Sequence, residues 1–268
     1  MLNNEAVKKG LDGTVVSWLL KLPVVSFYAR ARGWDFVIAW CHRVTGIFLV
    51  VVSWVLVSTH GPLHGTGLPG PVLGFLYWLL SVPIVFHCFN GGRIILYEIF
   101  GSRNDQGIKR WVFGLCALYQ IVLGLLMIAG NQHVSPYLSW LIMLVGALIL
   151  GYGVAARIWR IGHSFFWKLQ RVSGAFLLGI VPAYILLLAV DPARVEEART
   201  LVTPFQRSFI KIVYGIAIAG ALYHGGYGLW SILGDYFASR PIRVLFALLM
   251  VVVMAIFAAV GIRVAWSS

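Results

Sequence analysis

Charge is scarce in this sequence. Asp, Glu, Lys and Arg make up 11% of its 268 residues, and only 9 of them are acidic. A soluble domain carries about a quarter charged residues, so a water-exposed globular surface is excluded. Cysteine is almost as rare: Cys41, Cys88 and Cys116 fall inside or at the edge of apolar runs. Their spacing offers neither a metal site nor a disulfide framework, and they read as small core residues. Strict alternation of apolar and polar residues is missing too, which excludes an outer-membrane barrel. The opening MLNNEAVKKG is polar and does not read as a secretory signal.

What the sequence has instead is oil, with 60% hydrophobic residues and a mean hydropathy of +0.87. Apolar runs near the ~20 residues needed to cross a bilayer recur along the chain. Seven spans are expected, at 36–59, 72–99, 111–130, 137–157, 168–190, 207–234 and 242–265. The fold class is therefore all-α, a polytopic transmembrane bundle in contact with lipid. The preceding LDGTVVSWLLKLPVVSFYARARGW is interrupted by Lys21 and Pro23 and suits an amphipathic segment lying on the membrane.

The net charge of +12 raises a nucleic-acid reading, but the basic residues gather at span ends rather than on one face. Lys8, Lys9, Lys21, Arg30, Arg32, Arg103, Lys109, Arg110, Arg157, Arg160, Lys168, Arg171, Arg240 and Arg243 all fall on one side. STHGPLHGTGLPGP and GNQHVSPYLS, on the other, contain no Lys or Arg. In VDPARVEEARTLVTPFQRS, Asp191, Glu196 and Glu197 offset the arginines. The bias puts the N-terminus in the cytoplasm or matrix and the C-terminus outside. A bacterial inner membrane and no nucleic-acid partner are expected.

Two pairs of segments echo each other. HRVTGIFLV from His42 matches QRVSGAFLL from Gln170 in its arginine, hydroxyl residue and glycine. HCFNGGRIILYE from His87 matches HGGYGLWSILGD from His224 in its histidine, the glycine one turn on, the Ile-Leu pair and the acid eleven residues after the histidine. The echo points to two three-span units. Parallel units cannot be joined directly, so a further span must carry the chain back. The expected organisation is an N-terminal segment over 1–35, units over 36–130 and 161–268, and a connecting span within 131–160.

Asp235 lies ~16 Å along a helix axis from His224, and Glu98 equally far from His87. Half the hydrocarbon thickness is ~15 Å, so acids at the inner interface place both imidazoles near the midplane. Gly91 and Gly228 share a face with their histidines and leave room for a flat, bulky group. Two level histidines on separate helices suit bis-imidazole ligation of a haem iron. Pro83, one turn before His87, offers a kink that re-aims the ring. Against this stands the ordinary reading of a hydrogen-bonded packing histidine. His60, His64 and His133 fall in outer connections and His163 in an inner loop, where surface roles suffice. Arg43 and Arg171 occupy equivalent places near the inner face, with His42 beside the first and Arg93 as a third cation. Their forks suit propionate carboxylates, and snorkelling to lipid phosphate is the alternative.

These residues resemble the membrane-anchor subunits of succinate dehydrogenase and quinol–fumarate reductase, complex II. HRVTG followed by FHCFNGGR resembles the larger anchor's signature. LYHGGYGLWSILGDY resembles the smaller anchor's His, Gly and Asp-Tyr segment, and QRVSG its first-helix arginine segment. The likeness covers six of the seven spans, with the two anchors apparently fused. It implies one haem b with His87 and His224 as axial ligands, and His42, Arg43 and Arg171 at its propionates. It also implies a ubiquinone or menaquinone pocket formed by Arg43, Asp235 and Tyr236. Ala39 stands where the family has a serine one turn before the arginine, and Thr45 lies on a different turn. Trp34 and Trp40 line the entrance or belong to the interfacial aromatic belt.

Quinone reduction takes two electrons and two protons. Nothing in the chain resembles a flavin fold or a cysteine-cluster site, so an iron–sulfur subunit, with its flavoprotein, is implied on the inner face. Tyr236 would donate to a quinone carbonyl, Arg43 supply positive charge, and Asp235 orient the phenol or relay protons. The other reading of Asp235 is a helix-end contact with Arg240. Two further functions compete: a diheme cytochrome b of the formate dehydrogenase or hydrogenase type, which needs more ligand pairs, and a repeat-built transporter, which usually shows acids at mid-depth.

Overall fold

The computed structural model describes residues 31–58, 70–101, 106–129, 135–190 and 203–267, with Ser26 and Ala29. The expected surface segment before residue 26 lies outside the described residues, as do His60, His64, His133, Asp191, Glu196 and Glu197.

Among the described residues, seven helices carry the architecture: α1 Trp34–Ser58, α2 Gly70–Phe100, α3 Gln106–Ala129, α4 Pro136–Ile158, α5 Phe165–Val190, α6 Pro204–Tyr236 and α7 Arg240–Ser267. Six of them, α2 to α7, are long and apolar enough to cross a membrane. The protein is an integral membrane protein built as an all-helical bundle. Each expected span lies within or against one helix, but several helices begin earlier than their apolar runs. α3 starts at Gln106 and takes Lys109 and Arg110 into its first turns, while α6 starts at Pro204.

Local chemistry explains those edges. Thr203 caps α6 through a capping box with Gln206, and Pro204 occupies the first turn, where its missing N–H costs nothing. At the start of α4 the Ser135 hydroxyl accepts from the Leu138 N–H, and Pro136 again takes the first turn. At the far end of α2, Gly101 adopts φ 73° and its N–H reaches the Tyr97 carbonyl at 2.8 Å, a left-handed glycine stop. Pro83 sits inside α2 without ending it.

Four helices, α1, α2, α5 and α6, close a ring by packing in the order α1–α2–α5–α6–α1. α3 lies against α2 and α5, and α7 lies correspondingly against α6 and α1. α4 packs chiefly on α5, with lesser contacts to α6 and α2. That contact is close because small residues face each other: a Cβ on Gly179 would stand 2.6 Å from Ala147 Cα, and Ala147 is fully buried. In lipid such backbone approach supplies the dispersion contact that water exclusion cannot.

Trp140 of α4, Tyr184 of α5 and Tyr214 of α6 gather at one end of the bundle, where the Tyr214 hydroxyl donates to the Tyr184 oxygen at 2.7 Å. The exterior is apolar, as lipid requires: Leu245, Leu248, Leu249 and Val251 of α7 are all exposed. Buried positions include polar groups such as Asn90, Arg93, Lys109 and Gln170, most of them in the half toward the opposite, basic end.

Candidate functional site

Three histidine rings meet inside the four-helix ring. His42 of α1 stacks on His87 of α2, with centroids 4.0 Å apart and planes 8° from parallel. His87 in turn meets His224 of α6 edge-on, at 6.4 Å and 88°. Two imidazoles on opposite sides of one metal ion stand about 6 Å apart between centroids, from two bonds of about 2 Å plus about 1 Å to each ring centre. The observed separation matches that spacing.

Both rings are tethered by the same device. His87 Nδ1 lies 3.1 Å from the His42 carbonyl oxygen and 3.3 Å from Thr45 Oγ1. His224 Nδ1 lies 3.2 Å from the Gln170 carbonyl oxygen. With the proton donated from Nδ1, the tautomer leaves the Nε2 lone pair free to bind a metal. His42 and Gln170 are the paired positions in HRVTG and QRVSG, so the tethers themselves follow the sequence echo.

Gly91 faces His42, whose Cε1 would lie 3.5 Å from an added Cβ, and Gly228 faces the Gln170 amide at 3.6 Å. The closest approaches to the two histidine rings come from Gly46 of α1 and Gly174 of α5. An added Cβ would stand 3.0 Å from His87 Cε1 in the first case and 2.8 Å from His224 Cε1 in the second. Sequence reasoning missed these two. The signal was present, since glycine closes both HRVTG and QRVSG.

Toward the basic end, charges pair across the ring. Arg43 Nη2 meets Asp235 Oδ2 at 2.6 Å, and Arg43 Nη1 donates to the Tyr236 hydroxyl at 3.4 Å. The Arg171 fork meets both oxygens of Glu98, each at 2.6 Å. Arg43 and Arg171 are sequence equivalents, as are Glu98 and Asp235, so each half's arginine takes the other half's acid. The two pairs differ in exposure: 42% and 49% for Arg43 and Asp235, against 22% and 20% for Arg171 and Glu98. Asp235 thus takes Arg43 as its partner and not Arg240. Glu98 as the partner of Arg171 was not foreseen.

Arg93 is buried on α2, with Nη1 4.0 Å from Asp35 Oδ1 and its guanidinium over the Tyr97 ring. Lys109 of α3 reaches the same Asp35 carboxylate at 2.5 Å. His42 Nδ1, Arg93 Nε, the Gln170 side-chain oxygen and both polar atoms of Asn90 are buried without a hydrogen-bond partner. Unmet buried polar atoms cost about 1–3 kcal/mol each, so several in one half of a bundle favour a polar group bound there. Trp40 and Ala39 lie exposed on α1 near Arg43, and Tyr236 is 57% exposed at the end of α6. Thr45, on the other turn, bonds the Cys41 and His42 carbonyls and serves His87.

The arrangement offers a neutral imidazole pair for a metal, unused polar atoms around it, and an open cation–phenol pair at one rim. Compared with known proteins, the family model for the succinate dehydrogenase/fumarate reductase transmembrane subunit matches residues 32–127 and 152–262, more than half of the chain. No curated protein and no solved structure matches.

Proposed function

Because the chain belongs to the succinate dehydrogenase/fumarate reductase transmembrane subunit family, we propose that it is the haem b-bearing, quinone-binding anchor of such a complex. In this reading residues 36–130 and 161–268 are the two anchor units and α4 is the connector that lets them share one chain. The ring made by α1–α2 and α5–α6, with α3 against α2 and α5 and α7 in the equivalent place against α6 and α1, supports that division. The expected orientation has the basic end inside, in a bacterial inner membrane, where an iron–sulfur subunit and its flavoprotein would dock.

One observation carries the reading: His87 and His224 lie at metal-sharing distance, each with Nδ1 committed to a backbone carbonyl. They would be the axial ligands. A haem bound there would pass single electrons between the soluble subunits and the quinone pool. His42, Gln170 and Arg93, with polar atoms lacking partners, suit the polar edge of such a group. Arg171 is engaged with Glu98 and Arg43 with Asp235, so either would contact a propionate while keeping its carboxylate.

The quinone would sit at the exposed rim. Tyr236 accepts a bond from Arg43, so its own hydroxyl proton is free to be donated to a quinone carbonyl. Arg43 sets positive charge where negative charge develops on that oxygen. Asp235 holds the guanidinium in place and gives protons a path from the aqueous side. At the equivalent place in the other half the phenol is replaced by Ile99 and the fork is closed, which leaves one competent rim.

The test is spectroscopic. Purified wild-type complex should show one low-spin haem per chain in redox difference spectra, and His87→Ala or His224→Ala should abolish it. Equal low-spin haem in wild type and variants would defeat the reading, and two haems per chain would favour a diheme carrier.

A further inference from the structure

Both axial histidines are hemmed in by the helices that carry no axial ligand. Gly46 on α1 and Gly174 on α5 stand where any side chain would strike His87 and His224, at 3.0 Å and 2.8 Å from the two Cε1 atoms. Ordinary carbon–carbon contact is about 3.5–4.0 Å, so each ring would have to give way by some tenths of an ångström to admit a methyl group, His224 by the most. Each glycine also lies one helical turn past the residue whose carbonyl takes that ring's Nδ1: His42 for Gly46, Gln170 for Gly174. One turn of helix thus grips each ring twice, by a hydrogen bond at one edge and by a close-fitting floor at the adjacent Cε1. The bundle uses the device once more, on Trp78, whose Nε1 donates to the Gln120 carbonyl at 2.9 Å and would lie 3.2 Å from a Cβ on Gly124. Gly114 and Gly146 have nothing within 4 Å of an added Cβ, and Gly91 allows one at ordinary distance.

Resting on the haem reading above, we propose that Gly46 and Gly174 are positioning residues that fix the rotation of the His87 and His224 rings, and so hold the two imidazole planes perpendicular. The 88° angle between the rings is the outcome of two matched grips, one in each half. A methyl group at either glycine turns its ring about the Cβ–Cγ bond, lengthens the Nδ1 tether and brings the planes away from perpendicular. The 2.8 Å approach makes the α5 grip the tighter of the two.

Electron paramagnetic resonance of the oxidised complex in membranes reads this angle directly. Perpendicular imidazole planes give a strongly axial low-spin signal with a large highest g-value, and near-parallel planes give a rhombic one. Wild type should show the axial signal. Gly46→Ala and Gly174→Ala should each lower the highest g-value and shift the midpoint potential, Gly174→Ala by more, with Gly114→Ala unchanged. A rhombic wild-type signal overturns the inference whether or not the variants accumulate. Alanine variants that assemble with the wild-type signal and potential overturn it as well. A wild-type complex without low-spin haem would instead defeat the functional reading beneath it.

Discussion

Replacing Glu98 by alanine should destabilise the bundle well beyond what replacing Asp235 does, although the two carboxylates hold matching positions and matching arginines. The Glu98–Arg171 fork has two 2.6 Å bonds and both side chains about four-fifths covered. Removing one partner from a fully buried pair costs about 3–5 kcal/mol, because the other charge is stranded. With a fifth of each side chain still wet, about 2–3 kcal/mol is the appropriate scale. The Arg43–Asp235 pair has one such bond, and close to half of each side chain is exposed. Exposed pairs contribute about 0.2–1 kcal/mol. The difference of about 2 kcal/mol corresponds to roughly thirtyfold in the folding equilibrium. Thermal or denaturant unfolding of the detergent-solubilised protein, followed by tryptophan fluorescence, measures it. Glu98→Gln, which keeps the shape and one acceptor, should recover part of the loss. If Asp235→Ala lowers stability as much as Glu98→Ala, burial does not distinguish the pairs and the assignment of one closed and one open rim fails.

Two further outcomes follow from the same geometry. Tyr236→Phe removes the phenol that accepts from Arg43 and would donate to quinone, and should slow quinone reduction on the order of tenfold to a hundredfold. Its haem spectrum should match wild type, and lost haem would refute the role. Gly179→Ala drives a methyl group into the Ala147 backbone of α4 and should cost about 1–3 kcal/mol as overpacking. Equilibrium unfolding with unchanged haem absorbance checks it, and a stability equal to wild type would show that α4 does not need that close approach.

Much of this protein could be read from its residues because a bilayer leaves few choices. A segment in hydrocarbon must satisfy its backbone internally, so length and hydropathy alone predict a helix, and all seven appear near their expected places. Helical rise put His87 and His224 at matching distances from their acids, and the two rings do meet, at 6.4 Å. The HRVTG and QRVSG echo indicated two related halves, and the family match spans both. Helix starts were less legible because polar turns such as Gln106–Arg110 continue a helix beyond its apolar run.

Rotation about each helix axis, and which helix faces which, were decided by packing. Periodicity put Gly91 and Gly228 on the faces of their own histidines; only packing shows that those faces meet His42 and Gln170, and that the floors of the two rings come from Gly46 and Gly174 on neighbouring helices. The crossed pairing of Arg43 with Asp235 and of Arg171 with Glu98 was equally invisible, because any nearby arginine could meet either acid until the ring closed. Sequence determined which segments become long apolar helices and where along each one its polar groups sit. Only the tertiary structure decided azimuth and neighbour, because hydropathy is nearly uniform around these helices and contacts between residues as far apart as 73 and 192 positions leave no local trace.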